Sequence, residues 1–215
     1  MDLIIEKTIA FVKATLEGAE AGHDWFHIER VYRNALTINA VEEGNELIIA
    51  LAALLHDIAD SKFHDGDEEI GPRLAGEFLK SIAVDDAIID HVQQIIRNLS
   101  YKASLGIITF KSRELDIVQD ADRLDAIGAI GIARAFTYGG YKNRVLYDPE
   151  IAPALNQTKE AYKNTKAPTI NHFYEKLLLL KDLMKTDTGR KMAEQRHSFM
   201  TSFLAQFFDE WEGKK

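Results

Sequence analysis

The chain has 215 residues, a hydrophobic share of 46% and a formal net charge of −8, so it is long enough to fold as one domain with a sizeable core. The negative charge argues against nucleic acid or an anionic membrane as the main partner, because both attract basic surfaces. The absence of cysteine excludes disulfides, thiolate zinc sites and cysteine nucleophiles.

The N-terminal half shows only helical periodicity, with apolar residues recurring every three or four positions. Its first residues lack the basic and apolar regions of a signal peptide, and its longest apolar run is shorter than the roughly 20 residues that span a bilayer, so we expect a cytoplasmic protein. Asp24 is a possible N-cap, and residues 43–45 (EGN) end the second helix. The pattern predicts helices over 2–17, 24–42, 46–59, 68–81 and 84–98.

The C-terminal half is less regular. Residues 113–137 predict a helix in which Gly128 and Gly131 allow either a close helix contact or a break. Residues 137–169 are weakly patterned and contain three of the four prolines, which indicates a long loop that is either a substrate lid or a static surface segment. Further helices are predicted over 170–185 and 188–212, and the aromatic stripe Phe199, Phe203, Phe207 and Trp211 belongs either to the core or to a subunit interface.

These elements together predict an all-α bundle. We expect a single domain over 1–215 with a C-terminal helical extension from about residue 170, present as a monomer or a homodimer. No repeat or low-complexity tract interrupts it.

Polar groups at the end of the most apolar segment indicate a metal site. His56 and Asp57 follow the run LIIALAALL, where an unpaired imidazole or carboxylate is costly. His27 borders the apolar stripe of its helix, and Asp120 lies on a stripe otherwise made of aliphatic residues and one glycine. A packed core histidine and an N-cap or salt-bridged aspartate are the alternatives. Together the four suit one buried divalent ion with open positions, such as Mn²⁺, Fe²⁺, Co²⁺ or Ni²⁺.

The spacing of these four residues and the segments around them resemble the HD-domain metal-dependent phosphohydrolase superfamily. Residues 22–31 (GHDWFHIERV) look like the segment of the first ligand, and residues 54–62 (LLHDIADSK) look like the central motif. Residues 119–128 (QDADRLDAIG) and 172–177 (HFYEKL) are similar to a bacterial subgroup of nucleotide pyrophosphohydrolases. The resemblance implies hydrolysis of nucleoside triphosphates, preferably deoxy, to monophosphate and pyrophosphate with one divalent ion, Mn²⁺ favoured and Mg²⁺ possible.

Further site residues are expected around the ligands. Asp60 resembles the acid that orients or deprotonates water in many hydrolytic members, although it is one methylene shorter than the usual Glu. Lys62 is expected to neutralise a phosphate oxygen. The candidates for substrate contacts are His23, Arg30, Arg123, His172 and Lys176. Solvent-exposed turn residues and surface ion pairs are the alternatives for these positions.

The expected function is therefore a metal-dependent phosphohydrolase acting on a nucleotide or another phosphate ester. Other activities of the same superfamily are the first alternative: a 5′-nucleotidase, a cyclic phosphodiesterase or an alarmone hydrolase. A non-catalytic module that senses metal or nucleotide is the second.

Overall fold

The computed structural model describes residues 1–18, 24–59, 67–99, 110–155 and 167–215. Within these ranges it contains nine α-helices, one 3₁₀ helix and no strand, so the predicted all-α fold is confirmed. In chain order they are α1 (Asp2–Thr15), α2 (Trp25–Glu42), α3 (Glu46–Leu55), α4 (Ile70–Ser81), α5 (Asp86–Leu99), α6 (Arg113–Asp125), α7 (Gly128–Tyr141), α8 (Thr169–Glu175), the 3₁₀ helix (Leu177–Leu183) and α9 (Asp187–Trp211).

The chain divides into two compact units, residues 1–122 and residues 123–215, with the boundary inside α6. The expectation of one domain with an extension from about residue 170 stays a prediction. No described helix combines the length and the hydropathy needed to cross a membrane.

Helix α3 is the centre of the N-terminal unit. Its residues 48–55 are all buried, and it packs against α1, α2 and α5. Each large aliphatic side chain removed from water in this way contributes roughly 1.5–3 kcal/mol. The Asn45 side chain caps the helix by accepting a hydrogen bond from the Ile48 amide (3.2 Å). The helix ends at Leu55, four residues before the predicted end, so His56 and Asp57 lie in the turn that follows it.

Helix α6 is attached to the α2–α3 hairpin by three hydrogen bonds. At its start, Arg113 donates to the Glu42 carbonyl (2.7 Å), and the Glu114 carboxylate accepts from the Asn45 amide (3.0 Å). Further along, the Asn34 side chain of α2 donates to the Ala121 carbonyl (3.4 Å). These contacts fix both the position of α6 beside α2 and its rotation about its own axis.

The predicted helix over 113–137 is two helices, α6 and α7, so the break that Gly128 and Gly131 allow does occur. Gly128 has a positive φ of 76°, and a Cβ at this position would lie 3.0 Å from Arg196 atoms. A Cβ on Gly131 would lie 2.2 Å from the Ala126 carbonyl oxygen. Both glycines therefore permit a sharp turn that a larger residue would obstruct.

Two other predicted boundaries in the C-terminal unit differ from the structure. Helix α7 continues to Tyr141, so the segment expected to be a loop from 137 begins as helix. Gly139 is retained inside that helix because a Cβ there would lie 2.2 Å from the Thr169 hydroxyl oxygen, and its absence allows close packing. The predicted helix over 170–185 is α-helical only to Glu175 and then becomes the 3₁₀ helix. Ordering of the segment after Tyr141 over a ligand stays a prediction.

The aromatic stripe of α9 lies partly in the core of the C-terminal unit. Phe203 stacks on Phe173 (6.0 Å between ring centroids), and Trp211 meets Tyr147 edge to face (5.1 Å). Phe199 and Trp211 are half exposed. The middle of the stripe is therefore core packing, while a role of its exposed residues in a subunit interface stays a prediction.

Candidate metal centre

Three of the four predicted ligands converge in the N-terminal unit. One ligand atom from each of His27, His56 and Asp57 lies within 4.8 Å of the other two. His27 occupies the first turn of α2, where its backbone amide donates to the Asp24 carboxylate (2.9 Å). The N-cap predicted at Asp24 is thereby confirmed, and it holds the backbone of His27 in place.

The hydrogen bond of His56 fixes which ring nitrogen faces the site. Its Nδ1 lies 2.9 Å from the Ala53 carbonyl oxygen. Since a carbonyl oxygen only accepts, this contact assigns the proton of the neutral ring to Nδ1. Nε2 is then left with a lone pair directed at the site. A histidine whose second nitrogen donates to a backbone carbonyl is the usual arrangement of a metal ligand.

A second carboxylate, which the sequence reasoning passed over, faces both imidazoles. Asp122 Oδ1 lies 3.6 Å from His27 Nε2 and 3.8 Å from His56 Nε2. Both distances exceed the length of an N–H···O hydrogen bond. Asp122 is brought here because the adjacent Ala121 carbonyl is bonded to Asn34 of α2.

These distances fit a shared cation. Two ligand atoms that each bind one ion at about 2.1 Å are at most about 4.2 Å apart, and both distances from Asp122 satisfy that limit. Two imidazoles and two carboxylates are a mixed nitrogen and oxygen set that suits Mn²⁺, Fe²⁺, Co²⁺ or Ni²⁺. The donor chemistry therefore fits a divalent metal ion.

Asp120, the predicted fourth ligand, is fully buried, and neither Asp120 nor Asp122 belongs to the three-residue group among the described residues. Positions two apart on an α-helix point about 200° away from each other, so Asp120 and Asp122 project from nearly opposite sides of α6. The ligand role of Asp120 stays a prediction, and Asp122 is a second candidate from the same helix.

The remaining predicted residues are placed as follows. His23, Asp60 and Lys62 lie outside the described residues. Arg30 is half-buried on α2, one turn after His27. Arg123 is buried and donates to the Leu183 carbonyl (2.5 Å), a contact within the C-terminal unit.

His172 and Lys176 belong to the C-terminal unit, on and just after α8. Burial, together with the nearby Lys176 and Arg144 cations, lowers the pKa of His172 to about 3. His172 is therefore neutral at neutral pH, so it offers a hydrogen-bonding group to a ligand and contributes no positive charge there.

The sequence matches the HD domain family over residues 25–127, a range that contains His27, His56, Asp57, Asp120 and Asp122. It is also 37% identical over 203 residues to YpgQ of Bacillus subtilis, covering 94% of this chain and 90% of that protein. The chain belongs to the HD-domain family. The predicted superfamily is thus confirmed.

Solved structures resemble this chain over nearly its whole length. An HD-superfamily hydrolase from Bacillus thuringiensis has 46% identity and a TM-score of 0.76, covering 97% of this chain and 96% of that one. A structure of B. subtilis YpgQ in complex with ADP has 31% identity and a TM-score of 0.74, covering 96% of this chain and 97% of that one. These similarities support a metal-dependent phosphohydrolase in general terms.

Proposed function

We propose that this HD-family protein hydrolyses nucleoside triphosphates, preferably deoxynucleoside triphosphates, to monophosphate and pyrophosphate. The observation that carries the proposal is the convergence of the His27 and His56 Nε2 atoms on one carboxylate, beside Asp57, at distances that suit a shared divalent ion. The structure of YpgQ with ADP supports a nucleotide as the ligand class.

The proposed ligands are His27, His56 and Asp57 together with one carboxylate of α6, either the predicted Asp120 or Asp122, and Mn²⁺ is the favoured ion. When bound, a divalent ion supplies Lewis acidity, which polarises a phosphoryl oxygen and makes a water molecule more acidic. The chain contributes the orientation of its donors: the Ala53 carbonyl holds the His56 ring, and the Asp24 carboxylate holds the backbone of His27.

Asp60 is the proposed general base, and Lys62 the proposed cation for a phosphate oxygen. Asp60 follows Asp57 by three residues in the sequence, and a carboxylate beside a metal-bound water would be a suitable general base. We expect Asp60→Asn to retain the metal while kcat falls by roughly 10²–10⁴, the usual contribution of general acid–base catalysis. A near-normal kcat in that variant would remove Asp60 from the chemistry.

A pair of isosteric variants tests the ligand set. Asp122→Asn removes the charge that faces both imidazoles, and we expect metal affinity to fall by about 10² or more, since carboxylate ligands neutralise the cation. Asp120→Asn makes the same chemical change at the other candidate, the ligand predicted from the sequence. Metal content and metal titration of both purified variants give the answer. Loss of metal from Asp120→Asn with retention in Asp122→Asn would restore Asp120 as the ligand.

Labelled water tests which bond is cut. With a triphosphate substrate in ¹⁸O water, we expect the label in the nucleoside monophosphate, because attack is proposed at the α-phosphorus. Label in orthophosphate, with a diphosphate as the other product, would mean attack at the γ-phosphorus and would overturn the proposal. Turnover of monophosphates, cyclic nucleotides or alarmones alone would select another HD activity, and nucleotide binding without turnover in saturating Mn²⁺ would indicate a sensor.

A further inference from the structure

Exposed hydrophobic side chains are concentrated in one segment of the C-terminal unit. Of the large hydrophobic residues that are exposed in the described chain, four belong to residues 1–122 and ten to residues 123–215. Six of the ten lie in residues 138–155, here called the exposed segment: Tyr138, Tyr141, Val145, Leu146, Ile151 and Leu155. Hydrophobic residues scattered singly are ordinary on a surface, whereas such a concentration is typical of a surface that contacts another protein.

Hydrogen bonds to α8 hold the exposed segment in this conformation. The amides of the first two residues of α8 donate to the carbonyls of Val145 and Leu146 (3.0 Å each). The buried Asn171 side chain donates to the Ile151 carbonyl (2.9 Å). Between these points the Tyr147 ring packs edge to face on three aromatic rings of α9. Because the backbone is attached along its length, Val145, Leu146 and Ile151 stay exposed in the single chain.

Opposite charges flank the centre of the exposed segment. Lys142 lies four residues before Leu146, and Glu150 lies four residues after it. Both side chains are exposed, and neither has an ion-pair partner in the part of the chain that the structure describes. The Lys142 Nζ lies instead 4.7 Å from the centroid of the Tyr141 ring. The segment therefore has a positive group before its apolar centre and a negative group after it.

This order of charges makes the exposed segment complementary to a second copy of itself. In a dimer with two-fold symmetry, residue i of one copy meets residue j of the other, and the reverse contact forms as well. An axis near Leu146 would bring Lys142 of each copy towards Glu150 of the other and would bury the apolar centre between them. A different partner would need both charges in the matching order, which a second copy supplies by symmetry.

We propose that residues 138–155 form the interface of a homodimer. The exposed apolar side chains supply the free energy of association, and the two Lys142–Glu150 pairs between copies set the orientation. The interface is independent of the proposed function, because none of the candidate metal ligands lies in the segment.

Sedimentation equilibrium of the full-length chain measures the association. We expect a reversible dimer at micromolar concentration for the wild type and a loss of at least about tenfold in affinity for Leu146→Asp, which puts a charge at the centre of the interface. Leu3→Asp is the matched control, since Leu3 is an equally exposed leucine in the first turn of α1, where an acidic residue is well tolerated. This control should associate like the wild type.

Charge reversal tests whether the pairs form between copies. Lys142→Glu and Glu150→Lys should each weaken the dimer by about tenfold or more, because two repulsive contacts replace two attractive ones. An equimolar mixture of the two variants should recover the affinity of the wild type, since both contacts of the heterodimer are then attractive. Recovery on mixing also shows that both variants are folded, because an unfolded chain would not regain association.

Four outcomes would overturn the interface. A wild type that stays monomeric at about 100 µM would mean that no second copy covers the segment. A dimer that persists in Leu146→Asp would use another surface, and an equal loss in Leu3→Asp would show a general effect of added charge. Failure of the mixture to associate more tightly than either charge variant alone would show that Lys142 and Glu150 do not meet across a dimer.

Discussion

The buried imidazole of His172 predicts that the C-terminal unit loses stability in mild acid. The folded-state pKa of His172 is about 3, against 6.5 for an unperturbed histidine. Between these values the unfolded chain binds a proton that the folded chain does not, so the free energy of unfolding decreases as the pH falls from 6.5 towards 3. Linkage gives a loss of about 2 kcal/mol between pH 7 and pH 5 from this one group.

Replacement of His172 by Gln isolates that contribution. We expect the free energy of unfolding to fall by about 2 kcal/mol more in the wild type than in His172→Gln between pH 7 and pH 5. Between pH 8 and pH 7 the two falls should differ by only about 0.1 kcal/mol, because His172 changes its protonation little in either the folded or the unfolded wild type. The predicted value at pH 5 is insensitive to the folded-state pKa as long as that pKa stays below about 4. The comparison therefore tests whether the ring is buried and neutral.

Urea denaturation of the metal-free chain, followed by tryptophan fluorescence, provides the measurement. The chain has two tryptophans, so a Trp25→Phe background leaves Trp211, which packs on Tyr147 in the same unit as His172. Equal m-values at the two pH values would show that the same transition is compared. Losses that agree within about 0.5 kcal/mol in wild type and His172→Gln would refute the reasoning.

Three further substitutions test the packing. Gly131→Ala should destabilise the chain by about 2 kcal/mol or more in thermal unfolding, because its Cβ would lie 2.2 Å from a backbone carbonyl oxygen. Gly140→Ala in the same helix is the control: its Cβ would meet nothing within 4 Å, so it should be neutral or slightly stabilising. Arg134→Met should cost about 2 kcal/mol in urea denaturation, since it removes the charged hydrogen bond that Arg134 donates at 2.5 Å to the Asp125 carboxylate, which is 2% exposed. Asn45→Ala should cost about 1 kcal/mol by removing the α3 cap, with metal content unchanged. A stable Gly131→Ala, an unaffected Arg134→Met or a metal-free Asn45→Ala would each contradict the corresponding contact.

Helix starts in the N-terminal unit could be predicted because their signals are local. Asp24 and Asn45 each accept a hydrogen bond from a backbone amide three residues later, and both precede an apolar periodic segment. The division of 113–137 into two helices could not be predicted in the same way. A glycine is compatible with a helix or with a turn, and the positive φ of Gly128 accompanies a contact with Arg196, which is distant in sequence.

The convergence of His27, His56 and Asp57 was predictable because burial makes unpaired polar groups expensive. The same reasoning points to Asp120 on α6, since Asp120 lies on the aliphatic stripe and is fully buried. It passes over Asp122, whose side chain is 36% exposed. Residues two apart on a helix face nearly opposite directions, so the helical period presents Asp120 and Asp122 as alternative candidates.

Partial exposure of a ligand is what a catalytic metal site requires. An ion that must also bind water and a substrate oxygen needs open coordination positions, and those positions have to be reached from solvent. At least one ligand then lies at the rim, where its exposed fraction resembles that of an ordinary surface carboxylate. A search for buried carboxylates will therefore find structural ion pairs, such as Asp125 with Arg134, more readily than a half-exposed candidate ligand such as Asp122. Asp122 is distinguished by the short distances from its carboxylate to the Nε2 atoms of His27 and His56. Those distances are known only once the chain has folded.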